Sequence, residues 1–317
     1  MTDYSEMPLF PEGELPPDHR SGFVALVGKP NVGKSTLLNA WAGQKIAIVS
    51  PKPQTTRHRI RAILTRPDAQ VIFVDTPGIH EPRHKLGEFM VATATRAVPD
   101  ADLVLFVVDA SQSPSKEDQL IAELIRKKGR ASTMIALNKM DLVTSDVLEV
   151  RHTEYNALLK DALLIPVSAT QGDSSDELLS TIIAQLPLGP RYYPPNQVTD
   201  QDERFIVAEL IREQILKQLH QEVPHAVAVM VEDFKERPGK DLIFISANVF
   251  VERESQKGII IGEGGRKLKR IGKAARQEIE QMLEQRVYLE LWVKVKKKWR
   301  KDENELRRLG YALPKKR

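Results

Sequence analysis

The stretch from Gly28 to Thr36, GKPNVGKST, restricts the fold of this chain more than any other. It follows an apolar run, Phe23 to Val27, suited to a buried strand, and precedes Leu37, Leu38, Ala40 and Trp41, spaced to open a helix. Strand, glycine-rich loop and helix in that order are the setting of a Walker A loop. Backbone N–H groups of such a loop converge on phosphate oxygens, and the positive end of the helix adds to the attraction. Lys34 is then placed to reach the β- and γ-phosphates, and Ser35 to bind Mg²⁺. The expected ligand is a nucleoside triphosphate, held by Gly28, Asn31, Val32, Gly33, Lys34, Ser35 and Thr36.

The chain of 317 residues is long for one ordinary domain and suits two. It contains no cysteine, which excludes disulfides, thiolate metal sites and cysteine nucleophiles. The strongest apolar runs, Leu103 to Val108 and Leu242 to Val251, fall well short of the ~20 residues that span a bilayer. The acidic, proline-rich residues 1–20 lack the basic start and apolar centre of an export signal and read as a flexible leader. Charge is polarised along the chain. From Arg253 onward there are 20 Lys and Arg against 9 Asp and Glu, while the preceding part carries 27 against 34. The basic end therefore suits a polyanion, either nucleic acid or an anionic membrane surface.

Further ligand motifs sit at the ends of strand-like runs. After the Walker A loop, SPKPQTTRHR reads as a mobile loop feeding an edge strand that alternates through Ile60, Ala62 and Leu64. Thr56, with Thr55 as the alternative, holds the place of the threonine that closes on Mg²⁺ and the γ-phosphate in GTPases. The run Val71 to Val74 ends in Asp75-Thr76-Pro77-Gly78, where Asp75 can hold Mg²⁺ through water and the Gly78 N–H can approach the γ-phosphate. Lys34, Thr56 and Gly78 are thus the candidate catalytic groups, and Ser35, Thr56 and Asp75 the candidate metal set. Leu103 to Val108 is a further buried strand, followed by a helix around Glu117 to Lys127.

Met134 to Leu137 delivers Asn138-Lys139-Met140-Asp141. A carboxylate at Asp141 can accept hydrogen bonds from guanine N1–H and the exocyclic amine together, a donor pair that adenine lacks. Lys139 would pack along the base, and Asn138 would brace the neighbouring loop. Leu163 to Val167 then ends in Ser168-Ala169-Thr170, a turn able to offer an N–H to guanine O6, before a helix from about Asp173 to Leu186. Alternating strands and helices with every motif at a strand C-terminus describe an α/β domain over residues 21–187, its mostly parallel sheet flanked by helices.

The proline-dense segment 188–200 breaks regular structure and separates a second domain, 201–297, from the first. That domain reads as a helix with an apolar face through Phe205, Leu210, Ile211, Ile215, Leu216 and Leu219, then strands Ala226 to Val231 and Leu242 to Val251. Next come a helix, IIIGEGG, a basic amphipathic helix and a strand from Val287 to Val295. This order, with Gly262, Glu263, Gly264 and Gly265 forming a GxxG loop, fits an α+β type II KH domain, which clamps a nucleic-acid backbone and leaves base edges to be read. Lys267, Lys269, Arg270 and Lys273 follow the loop. In the basic tail, 298–317, and just before it, Lys296 can neutralise a phosphate and Trp299 can stack on an unpaired base.

Together GKPNVGKST, PQTTRHR, DTPG, NKMD, SAT, IIIGEGG and LELWVKVKKKW lie in the order of the Era-like family of bacterial GTPases, which the chain resembles from about Ser21 to Leu313. The resemblance implies binding and slow hydrolysis of GTP to GDP with Mg²⁺ in a cytoplasmic, monomeric protein. It further implies binding of the 3′ end of small-subunit (16S) rRNA and assistance to maturation of the small ribosomal subunit. Peripheral association with the inner membrane face is part of the same implication. Asn31 matches the loop asparagine associated with K⁺ stimulation in related GTPases. Where Ras-type enzymes carry a water-positioning glutamine directly after the DxxG glycine, this chain has Ile79, so intrinsic hydrolysis should not exceed ~10⁻⁴ s⁻¹.

Overall fold

The computed structural model describes residues 15–82, 84–128, 131–219, 222–237, 239 and 241–312. The leader up to residue 14 and the tail residues 313–317 lie outside them. The chain divides into two compact units, with the boundary between Asp200 and Gln201.

In the first unit, β1 (Arg20–Val27), β2 (Ile60–Thr65), β3 (Ala69–Asp75), β4 (Leu103–Asp109), β5 (Ser132–Asn138) and β6 (Leu163–Val167) form one sheet in the order β2-β3-β1-β4-β5-β6. Only β2 runs antiparallel to its neighbour. Every residue of β3 and β4 is buried, as a sheet covered on both faces requires, which is why these strands read as continuous apolar runs. The covering helices are α1 (Lys34–Ala42), α2 (Lys85–Ala97), α3 (Lys116–Lys128), α4 (Ser145–Asn156) and α5 (Ser175–Gln185). Of these, α2 and α4 were not foreshadowed by the motifs. In α4 only Tyr155 is buried while Val147 and Val150 are exposed, so no apolar stripe marks it.

Because β1, β3, β4, β5 and β6 are parallel, their C-terminal ends share one edge of the sheet. β1 has β3 on one side and β4 on the other, so the chain leaves it toward opposite flanks and opens a crevice at its C-terminal end. The Walker A loop begins in that crevice.

Segment 188–200 is packed rather than loose. The backbone N–H groups of Tyr192 and Tyr193 donate to Oε1 of the fully buried Gln70 (2.7 and 2.9 Å). Ile63 N–H donates to Val198 O (2.9 Å) and Thr199 Oγ1 donates to Arg61 O (2.6 Å), which covers the edge of β2.

The second unit contains α6 (Glu203–Gln218), β7 (Ala228–Glu236), β8 (Ile243–Val251), α7 (Glu254–Ile261), α8 (Arg266–Leu283), β9 (Val287–Val295) and α9 (Glu303–Arg308). β7 pairs antiparallel with β8, and β8 pairs parallel with β9 across the α7–α8 connection. β7 runs past the expected Val231 to Glu236, through a bulge between Val231 and Asp233. Its outer half is polar because this edge strand is partly exposed. Ile271, Ala275 and Ile279 recur every four residues on α8 and join Ile245, Ala247 and Val249 in the core, leaving Lys269, Arg270, Lys273 and Arg276 exposed on its far side.

Candidate functional site

Lys34 opens α1 with its side chain turned back over its own loop, donating from Nζ to Lys29 O (2.8 Å) and Gly28 O (3.2 Å). Burial lowers its pKa to about 8, against the opposing pull of the Asp75 carboxylate. A buried ammonium held by carbonyl oxygens alone is under-neutralised, and phosphate oxygens would supply the missing negative charge.

Beside it, Ser35 Oγ donates to Asp75 Oδ2 (2.6 Å), Thr56 Oγ1 lies 3.3 Å from the same oxygen, and the two hydroxyls are 3.0 Å apart. Asp75 is fully buried, and its Oδ1 has no hydrogen-bond partner. Burial raises the carboxyl's pKa, while Lys34, Ser35 and Thr56 act against the rise. Two hydroxyls and a carboxylate with a spare buried oxygen are the hard oxygen donors that suit Mg²⁺, so the residues present fit the metal. The Thr55 hydroxyl instead donates to Lys52 O (2.6 Å), so it is Thr56 whose hydroxyl meets Ser35 and Asp75.

Asn31, Thr36 and Gly78 line the same cleft as Lys34, Ser35 and Thr56. Asn31 adopts φ 64° and donates from Nδ2 to Pro51 O (2.8 Å), tying the Walker A loop to the polar loop that carries Thr56. The N–H next to Gly78, on Ile79, donates to Gly28 O (3.2 Å), and the Ile79 side chain is buried in the core with Phe106 and Val108.

On the base-reading side, Asn138 spans two loops: Nδ2 donates to Val32 O (2.7 Å), and Oδ1 accepts the Ala169 N–H (3.0 Å). The brace expected of Asn138 is therefore present. The same bond places the Ala169 N–H of the Ser168-Ala169 turn against the Asn138 side chain. Ser168 is buried, its hydroxyl 3.3 Å from that of Thr170. Gly33 faces this brace at φ 102°, where an added Cβ would stand 2.1 Å from Asn138 Nδ2.

Lys139 donates to Asp109 Oδ2 (2.6 Å). Burial opposes ionisation of Asp109, but Lys139 and Ser111 outweigh it and hold the carboxyl below its ordinary pKa. That pair, which the motifs did not foreshadow, anchors the lysine at the end of β4. Asp141 is exposed, with its carboxylate open to a ligand.

In the second unit, Gly262, Gly264 and Gly265 all have positive φ (68°, 56° and 76°), and a Cβ on Gly262 would come within 2.7 Å of Lys267 Cβ. Glu263 and Gly264 are exposed at the tip, where Glu263 pairs with Arg266. Lys269, Arg270 and Lys273 continue the exposed basic surface, and Lys267 is half-buried.

Two residues expected to contact nucleic acid, Lys296 and Trp299, have partners within the protein. Trp299 is 0% exposed, donates from Nε1 to Ala226 O (2.9 Å) and stacks on Tyr311, so it is a core side chain and not a platform for a base. Lys296 is engaged by Glu305 (2.6 Å). An indole flanked by lysines looks like a nucleic-acid contact in the sequence, but the chain turns back after β9 and buries it. Among the described residues no helix is long and apolar enough to cross a membrane.

Residues 23–139 match a family model described as a 50S ribosome-binding GTPase, and residues 222–300 match the KH domain model. A curated GTPase Era from Alkaliphilus oremlandii is 50% identical over 292 residues, covering 92% of this chain and 99% of the relative. Two solved structures superpose over 93% of the chain and all of their own. Aquifex aeolicus Era bound to GDP·AlF4⁻ has 39% identity and a TM-score of 0.89. Era in complex with MgGDPNP and nucleotides 1506–1542 of 16S ribosomal RNA has 40% identity and a TM-score of 0.90. With the residues of the expected nucleotide motifs gathered at one edge of the sheet and the likeness running through both units, the chain belongs to the Era family of GTPases.

Proposed function

We propose that this GTPase is a switch that binds the 3′ end of small-subunit rRNA through its second unit and assists maturation of the small ribosomal subunit. The observation that carries the nucleotide half is the cluster of Ser35, Thr56 and Asp75 around one carboxylate with a spare buried oxygen. Those three residues would hold Mg²⁺, which when bound neutralises charge on the β- and γ-phosphate oxygens. Lys34 would supply a second positive charge to the same phosphates. Asp141 selects guanine through its paired donors, and the Thr56 loop closes on GTP and relaxes after hydrolysis.

Ile79, buried in the core, orients no water, which supports a slow intrinsic rate. Asn31 supports stimulation by K⁺, to be checked by exchanging K⁺ for Na⁺ and comparing rates. The exposed GxxG tip and the basic face of α8 support RNA as the ligand of the second unit. Anionic lipid is the rival for that charge, and vesicle co-sedimentation against RNA binding at matched salt separates the two.

The deciding experiment is GTP hydrolysis by the full chain with and without a short single-stranded RNA from the small-subunit 3′ end, alongside a Gly262→Asp, Glu263→Asp double variant. Stimulation that disappears in the variant supports one coupled switch. RNA binding with no effect of the variant on affinity or rate would refute the assignment of the GxxG loop.

A further inference from the structure

With Ile79 turned into the core, the residue that would steer the attacking water must come from elsewhere, and the geometry points to Gln54, held by His80. Gln54 lines the cleft alongside Lys34, Thr56 and Gly78. It sits at φ 62°, a left-handed conformation that is strained for a long side chain and is held only where surroundings dictate it.

Its side-chain amide is oriented by a relay. His80 Nδ1 is 3.0 Å from Gly78 O, and a carbonyl can only accept, so Nδ1 carries the ring proton. In that tautomer Nε2 is the ring's acceptor, and Gln54 Nε2 donates to it at 3.2 Å. This fixes the direction of the amide and leaves Oε1 as the free end. That oxygen is buried and has no hydrogen-bond partner. A buried carbonyl without a donor is destabilising, and a water between it and the γ-phosphate would remove that cost.

The inferred step is hydrolysis of the terminal phosphoanhydride. Gln54 Oε1 accepts a hydrogen bond from the water, whose oxygen forms the new bond to the γ-phosphorus while the bond from phosphorus to the bridging oxygen breaks. The bridging oxygen leaves on GDP, and the water's proton passes to the phosphate released. Gln54 orients and is chemically unchanged, the part a glutamine plays after the DxxG glycine in other GTPases. His80 is a positioning residue, since it acts through Gln54.

The inference rests on the GTPase reading, and the test keeps the two apart. Single-turnover hydrolysis at saturating Mg·GTP is measured for the wild type, Gln54→Ala, His80→Leu and His80→Gln, together with affinity for a non-hydrolysable GTP analogue and for GDP with aluminium fluoride. Gln54→Ala should lower the rate at least about 10-fold and weaken the aluminium fluoride complex, with analogue affinity within about 2-fold. His80→Leu should do the same, whereas His80→Gln, which keeps an acceptor for the amide, should stay within about 3-fold of wild type. Gln54→Ala at the wild-type rate, or a loss of rate matched by an equal loss of analogue affinity, would overturn it. A wild type that fails to hydrolyse GTP would sink the GTPase reading along with it.

Discussion

Asn138 Nδ2 donates to Val32 O at 2.7 Å and so fastens the base-reading end of β5 to the middle of the Walker A loop. The same side chain accepts the Ala169 N–H, so one buried amide sets the spacing of three loops that arrive from β1, β5 and β6. Asn138→Ala would leave the buried Val32 carbonyl and the part-buried Ala169 N–H without partners. It should destabilise the protein by roughly 2–4 kcal/mol and weaken GDP and GTP alike. Denaturant unfolding with and without GDP checks both. Loss of affinity for GTP alone would contradict the bracing role, because Val32 and Ala169 are shared by both nucleotides.

Lys34 makes the empty protein sensitive to pH. Its folded pKa of about 8 lies below the unfolded value of 10.5, so between those limits the unfolded chain binds more protons and stability rises with pH. Below pH 8 the charged, buried lysine costs stability in full, on the order of 3 kcal/mol. Lys34→Met should therefore stabilise the nucleotide-free protein at neutral pH while abolishing tight triphosphate binding. The stability difference between variant and wild type should shrink as pH is raised from 8 toward 10.5. Unfolding curves for the two proteins across that range are the measurement, and a difference constant with pH would refute the assignment.

The placement of the Walker A loop, Asp75 and Asn138 was legible because each sits directly at a strand end, where spacing alone places it. Thr56 could not be separated from Thr55 that way, since which of two adjacent hydroxyls turns inward is decided by where the loop packs. Gln54 and His80 were invisible for a related reason: their relation crosses 26 residues and depends on Ile79 pointing into the core. Asp109 and Lys139, 30 residues apart, meet only because β4 and β5 are neighbours in register. Trp299 misled because its lysine-rich neighbours describe the surface around it, while its own side chain closes the core beneath Ala226.

Asp141 lies exposed in the middle of the short 3-10 turn Met140–Leu142, so the proposed choice of base can be tested there without touching the core. Asp141→Asn replaces an acceptor by a group that can also donate, which matches the oxygen at position 2 of xanthine and mismatches the guanine amine. The variant should lose GTP affinity by about 10²-fold or more and bind xanthosine triphosphate in its place. Its stability should stay within about 0.5 kcal/mol of wild type. Competition binding with both nucleotides reads the switch, and unchanged preference for GTP would show that another group reads the base.

Trp299 and the lysines of α8 should separate cleanly when altered. Trp299→Ala removes a fully buried indole and its hydrogen bond to Ala226 O, which should cost about 3–5 kcal/mol. Any loss of RNA binding should then follow the loss of folded protein. Lys269→Glu with Lys273→Glu changes only exposed positions, so the fold should be kept within about 1 kcal/mol. The double variant should nevertheless weaken single-stranded RNA by well over 10-fold at low salt and flatten the dependence of affinity on salt concentration. Calorimetric unfolding and RNA titrations at two ionic strengths distinguish the variants. A folded Trp299→Ala protein with a specific RNA defect would return the indole to the RNA surface, and a double variant that binds RNA as wild type would remove α8 from it.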